Sequence, residues 1–233
     1  MGDDKAGVKQ RILRAAAQLL ESGGTEAVST RAVAAAAGVQ APALYRFFGD
    51  KDGLLAGLAA FGFEKYLGEK HGLRLTDDPV DDLHRGWDLH VDFGLRHPAF
   101  YVLMYGTAHP GRRPPAAEQA AAVLVKLLGR AAEAGRLCVA PEVAALTVHA
   151  ATTGATLALI GEDETTRDIS VSHRLRDTVI GSIVTDSPAS PVSDLPSLAL
   201  ALDAALGTMD AAGSPLRAAE IVLLRDWLHR LAG

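Results

Sequence analysis

Two stretches of this 233-residue chain bring together residue types that could do chemistry. The first is Asp77-Asp78-Pro79-Val80-Asp81-Asp82, where Asp77, Asp78 and Asp81 stand in a D-D-x-x-D spacing. Carboxylates one helical turn apart can hold Mg²⁺ and a diphosphate. The same acids also suit a helix start, where they complement the dipole and cap amides, and Pro79 fits a first turn. The second stretch runs from Ser29 to Lys51 and places Ser29, Thr30, Arg31, Gln40, Tyr45, Arg46 and Lys51 among small and apolar residues. Guanidinium groups suit guanine, a carboxamide suits adenine, and small apolar side chains such as Ala41 and Ala43 suit the thymine methyl.

Other chemistry lacks its residues. Of eight histidines, His84 and His90 are six apart and His149 stands alone on an apolar stretch. Metal sites want three- or four-residue spacing with carboxylate or thiolate company, so no metal is expected. Cys138 is the only cysteine and can form no disulfide within the chain. There is no G-x-S-x-G elbow, P-loop or dinucleotide fingerprint, so neither catalytic residues nor a cofactor are expected.

The elements that position these residues read as helices. Alanine fills 42 positions and leucine 32, while aromatics make up 5%. Those are strong helix formers, and the residues that favour strands are scarce. Val8, Ile12, Ala15 and Leu19 recur at helical spacing until Gly23-Gly24. Ser29 is a good N-cap for a short helix from Thr30 to Ala37, closed by Gly38. A third helix spans Gln40 to Phe47 with Pro42 in its first turn, and Asp50 caps a fourth. Further helices begin at Asp77–Asp82 and after His97-Pro98, then cover 116–134, 142–161, 170–185, 197–211 and 215–231. Gly106–Pro115 reads as a loop, and the proline- and serine-rich residues 186–197 read as a linker. The fold class expected is all-α.

Two short helices joined at a glycine, residues 29–47, have the form of a helix-turn-helix, with Val33, Ala37, Val39 and Leu44 as its apolar seam. The net charge of −5 disfavours nucleic acid, yet it is unevenly spread: residues 1–52 carry +1 and the remainder −6. Local positive charge is all that contact with phosphate requires.

The run Ser29-Thr30-Arg31-Ala32-Val33-Ala34-Ala35-Ala36-Ala37-Gly38-Val39, followed by Leu44-Tyr45-Arg46-Phe47 and Lys51-Asp52-Gly53-Leu54, resembles the TetR family of bacterial transcriptional repressors. The likeness spans residues 8–58. It implies a three-helix, helix-turn-helix DNA-binding domain at 1–52 and a larger helical ligand-sensing and dimerisation domain at 53–233. It also implies a palindromic double-stranded DNA operator, a homodimer and a small-molecule effector that releases the repressor. Phosphate contacts fall to Ser29 or Thr30, Tyr45 and Lys51. Arg31, Gln40, Ala41, Pro42, Ala43 and Arg46 complete the DNA-binding set. Family members often have Ser where Gln40 stands, and Lys, Arg or Gly where Ala41-Pro42-Ala43 stand. The recognition helix here therefore offers few hydrogen-bond donors.

For the effector, a largely apolar ligand is expected among Trp87, His90, Val91, Phe93, Phe100, Tyr101, Met104, His149, Thr152 and Thr153. Rings, a pliable thioether and isolated polar groups suit a greasy molecule with a polar handle. The dimer seam is expected at 142–161 and 170–185, where Gly154, Ala158 and Gly181 would allow close approach. No membrane span is expected, because Val143–Ile160 is interrupted by Thr147, His149, Thr152 and Thr153. A cytoplasmic location follows from the lone cysteine and the acidic start of the chain. The alternative reading is an all-helical, Mg-dependent isoprenoid-type enzyme using Asp77, Asp78 and Asp81. A purely structural helical protein is a third reading, but it leaves the strict N-terminal spacing unexplained.

Overall fold

The computed structural model describes residues 3–106, 115–185, 195–208 and 216–232. Its described elements are eleven helices: α1 (Asp3–Ala27), α2 (Thr30–Ala37), α3 (Ala41–Phe48), α4 (Lys51–His71), α5 (Pro79–Arg96), α6 (Pro98–Tyr105), α7 (Pro115–Glu133), α8 (Pro141–Ile160), α9 (Ser170–Ile183), α10 (Leu195–Thr208) and α11 (Ala218–Ala232). The all-helical expectation holds. Of the expected loop Gly106–Pro115, residues 107–114 lie outside the described residues; of the expected linker 186–197, residues 186–194 do. Leu195, Pro196 and Ser197 already belong to α10.

Two compact units form, one from Met1–Gly72, Asp92–Ala120 and Thr156–Thr166, the other from Leu73–Val91, Ala121–Ala155 and Arg167–Gly233. In the first, Ile12, Ala16, Leu20, Val28, Val33, Leu44, Leu54, Leu58 and Phe100 make one buried core. Helix α6 thus shares its packing with the N-terminal helices, through contacts to both α1 and α4. Rings continue the packing, with Tyr66 and Phe93 centred 5.0 Å apart, Phe63 and Tyr105 5.2 Å, and Tyr101 and Tyr105 4.7 Å. Burial raises the Tyr66 and Tyr105 hydroxyls above their ordinary range. It also pulls the Lys70 ammonium, lying 5.0 Å over the Tyr66 ring, down to about 8.

The second unit is held by buried polar bonds as well as apolar contact. Asp82 is fully buried and accepts from the Thr76 amide at 2.9 Å, from the Thr76 hydroxyl at 3.1 Å, and from Arg85 and Arg130. Burial alone would raise this carboxyl. The Thr76 amide, the Arg130 guanidinium and the Thr76 hydroxyl outweigh it and hold the group below its ordinary range. Trp87 Nε1 donates to the buried Ser172 Oγ at 3.0 Å, joining α5 to α9. Helices α10 and α11 pack on each other and are pinned by Arg225 Nε donating to Asp203 at 2.7 Å.

Candidate nucleic-acid interface

The helix-turn-helix is built by three local devices. Ser29 Oγ accepts the Ala32 amide at 3.1 Å and starts α2. Gly38 ends it in the left-handed region at φ 62°, a conformation that costs glycine little, and its amide and that of Val39 close back on Ala35 and Ala34. Val33, Ala37 and Leu44 are buried between the helices and Val39 half-buried, as their spacing predicts. At the next corner Asp50 Oδ1 accepts the Gly53 amide at 2.7 Å and starts α4. In the sequence Gly53 stands out only as part of a motif. A Cβ there would lie 1.9 Å from the Phe48 carbonyl oxygen, so no other residue fits this approach of α3 to α4.

These devices leave the polar residues facing out. Ser29, Arg31, Gln40, Ala41, Pro42, Tyr45, Arg46 and Lys51 are exposed, and Thr30 and Ala43 half-buried. Tyr45 keeps 50% of its surface in water, far from the fate of a core aromatic. Phe47 and Phe48 instead pack against the core of the first unit. Gln40 occupies the N-cap position of α3 but makes no side-chain capping bond, so its carboxamide is not spent on the helix. Arg46 holds its guanidinium 5.6 Å from the Phe47 ring centre. Helix α3 begins at Ala41, one residue later than its spacing suggests, because the Gln40 backbone is extended.

The ten effector candidates divide between the units. Phe93, Phe100, Tyr101 and Met104 lie in the first, and Trp87, His90, Val91, His149, Thr152 and Thr153 in the second. Phe100 belongs to the core shared by α1 to α4, with Met104 packed against that core. In the second unit the His90 and His149 rings meet edge to face at 6.5 Å, joining α5 to α8. Thr152 Oγ1 donates to the Val148 carbonyl at 2.5 Å, while the buried Thr153 Oγ1 has no hydrogen-bond partner among the described residues. Ser172, the acceptor for Trp87, is invisible to sequence reasoning because nothing in its spacing marks it out. The first unit also has a crevice lined by Glu21, Arg96, His97, Pro98 and Ala99, which contains none of the candidates. Burial there lowers the His97 imidazole, the nearby Lys65 ammonium adds to the effect, and Glu21 opposes it.

Two acids of the run are engaged within the fold. Asp78 Oδ1 accepts the Val80 amide at 2.8 Å, a helix-capping bond, and Asp82 is committed to Thr76, Arg85 and Arg130. Among the described residues no group of three or more His, Cys, Asp or Glu is placed to hold a metal ion. Helix α8 is long and apolar enough to cross a membrane by length and composition, the one such helix among the described residues.

An exposed, partly basic helix presented by a tight glycine turn defines a helix-turn-helix DNA-binding protein. The family model of the bacterial regulatory proteins of the tetR family matches residues 12–58, so the chain carries the N-terminal DNA-binding domain of tetR-family transcriptional regulators. That family consists of regulators, so the isoprenoid-enzyme alternative built on Asp77, Asp78 and Asp81 is set aside. The chain is 34% identical over 111 residues to the nucleoid occlusion factor SlmA of Photobacterium profundum, a stretch that is 46% of this chain and 56% of that protein. Its fold is similar to FadR of Bacillus subtilis, solved in complex with stearoyl-CoA, with a TM-score of 0.62 and 12% identity over 75% of this chain and 98% of that one. It is also similar to TetR-Q116A of Acinetobacter baumannii AYE in complex with minocycline, with a TM-score of 0.56 and 23% identity over 73% of this chain and 93% of the other. SmeT, the repressor of the SmeDEF efflux pump of Stenotrophomonas maltophilia, matches with a TM-score of 0.58 and 21% identity over 79% and 94% of the two chains.

Proposed function

We propose that this regulator is a cytoplasmic repressor that binds a palindromic operator as a homodimer and is released by a small, largely apolar molecule. In functional terms residues 1–52 read DNA, and residues 53–233 sense and dimerise. The observation that carries the DNA reading is the exposure of Arg31, Gln40, Tyr45, Arg46 and Lys51 around the N-terminus of α3 and the start of α4. Arg31 and Gln40 read bases. Ser29, Thr30, Tyr45 and Lys51 hold phosphate, the last at a helix start whose free amides also favour an anion. Ala41, Pro42 and Ala43 supply apolar contact.

Pairing is supported by the exposed side of α8, which presents Val143, Leu146, Ala150, Gly154 and Ala158. A Cβ added at Gly154, or at Gly181 of α9, would meet no atom of the described residues within 4 Å. Glycine inside a helix costs roughly 1 kcal/mol against alanine. Close approach by a second copy gives both glycines a reason that packing within the chain does not. Two recognition helices held one DNA turn apart then explain a palindromic site.

The effector reading is supported in the second unit by the Thr153 hydroxyl, buried without a hydrogen-bond partner among the described residues, one helical turn along α8 from the His149 that meets His90. Phe93, Phe100, Tyr101 and Met104, in the first unit, are the remaining apolar candidates. Stearoyl-CoA and minocycline, bound by the two similar proteins, each join an apolar body to polar groups, and a ligand of that kind is proposed here. Helix α4 transmits the signal, since it is continuous from Lys51 to the ring cluster at Phe63 and Tyr66. A mobility shift on the protein's own upstream DNA, repeated with amphipathic candidates, tests the whole. Binding that a Trp87-quenching ligand weakens supports the proposal. Failure to shift that DNA removes the autoregulatory operator, and ligands that bind without weakening DNA affinity remove the sensor.

A further inference from the structure

Helix α11 presents a side that α10 does not cover. Leu228 is its buried residue, whereas Leu223, Trp227 and Leu231 remain 49%, 49% and 48% exposed. Clustered large apolar side chains in water mark an interaction surface, and tryptophan is among the residues that contribute most to such surfaces. The chemistry of the partner is written in the flanking charges. Glu220, Leu223, Trp227 and Arg230 follow one another at spacings of three, four and three, the spacing of a helix–helix seam. Read in reverse, the series is Arg, Trp, Leu, Glu. An identical helix laid antiparallel therefore sets leucine on tryptophan and carboxylate on guanidinium at every layer. A parallel copy would set Glu on Glu and Arg on Arg.

We propose that this face of α11 docks on α11 of a second copy of the chain, antiparallel, with Leu223 against the second copy's Trp227 and Glu220 against its Arg230. In the single chain Glu220 accepts from Arg217 Nε at 3.0 Å, and Arg230 pairs with Asp226 at 2.9 Å. Both ion pairs are exposed and solvent-screened, so exchanging them for pairs across the seam costs little, while Glu220 Oε2 keeps the Arg217 amide it accepts at 2.8 Å. The seam is separate from the α8–α9 pairing proposed above and does not rest on it. Four layers make a small, weak interface, so its closure depends on concentration.

The chain has two tryptophans, so Trp87→Phe leaves Trp227 as the sole tryptophan in the full-length protein, excited selectively at the red edge where tyrosine does not absorb. The parent spectrum minus that of its Trp227→Phe variant gives the same signal if Trp87→Phe folds poorly. As concentration rises and sedimentation shows association, Trp227 emission is expected to shift to the blue and acrylamide quenching to fall at least twofold. Glu220→Arg abolishes both changes, because it sets Arg against the second copy's Arg230, and Glu220→Arg with Arg230→Glu restores them. Loss of the α8–α9 pairing alone alters sedimentation without this charge-dependent response. Trp227 shielded in a sedimenting monomer overturns the proposal, since the face is then covered within one chain. Equal quenching in the parent and Glu220→Arg at all concentrations overturns it too. Shielding that the double charge exchange fails to restore points to another partner or orientation and equally overturns it.

Discussion

The Asp50 carboxylate accepts the Gly53 amide at 2.7 Å, and a side chain on Gly53 would run into the Phe48 carbonyl 1.9 Å away. One cap and one missing Cβ thus set the corner between α3 and α4, and with it the place of Lys51. Gly53→Ala should lower thermal stability and weaken operator binding at least tenfold. Asp50→Ala, which loses only the cap, should cost about 1 kcal/mol in a denaturant titration. Equal, small effects of the two would show that the corner is not set this way.

Removing single contacts should separate positioning from reading. Lys51→Ala is expected to weaken all DNA sequences alike and to reduce the slope of log K against log salt by about 0.9 per protomer. Tyr45→Phe should act in the same general way with little change in slope. Arg31→Ala and Gln40→Ala should each cost roughly 1–3 kcal/mol and relax preference at particular bases, measured by competition with substituted operators.

Asp82 should govern acid stability of the second unit. Its folded carboxyl titrates below the ordinary value of about 3.9, so the unfolded chain takes up protons first as pH falls. The stability it contributes is fully present above about pH 4 and is lost as pH falls through its folded value. Asp82→Ala should destabilise by about 3 kcal/mol at neutral pH, because it leaves the part-buried Arg130 unpaired, and should flatten the acid limb. Urea titrations of both proteins from pH 7 downward check the sign.

Gly154→Leu and Gly181→Leu should uncouple folding from pairing. Neither added side chain meets an atom of the described residues at the Cβ, and both replace a poor helix former, so melting of the chain should hold or rise. Association, followed by sedimentation, should fall at least tenfold for Gly154→Leu. A variant that remains paired would shift the seam away from α8.

Much of the local structure was legible because its causes are local. Ser29, Gly38 and Asp50 act within four residues of themselves, and the helix ends they set fall within a residue of their spacing. Proline at the start of α6 acts equally close to home. The Gly23-Gly24 pair marks a real break, with non-helical backbone at both residues, yet the chain resumes its helical turn through Ala27 because the next residues carry no stop signal.

By itself, the order of residues determined the all-helical class and the tetR-type helix-turn-helix domain, since caps, glycine turns and apolar periodicity depend on neighbours along the chain. Only the tertiary structure decided that Phe100 joins the core of α1 to α4, that Ser172 accepts from Trp87, and that Asp82 is bound by Arg130. Those pairings join residues 85 and 48 positions apart, in the last two cases. No spacing encodes such meetings. They are fixed by which helix faces pack together, where an unpaired carboxylate or indole N–H in the interior would cost more than the fold can spare.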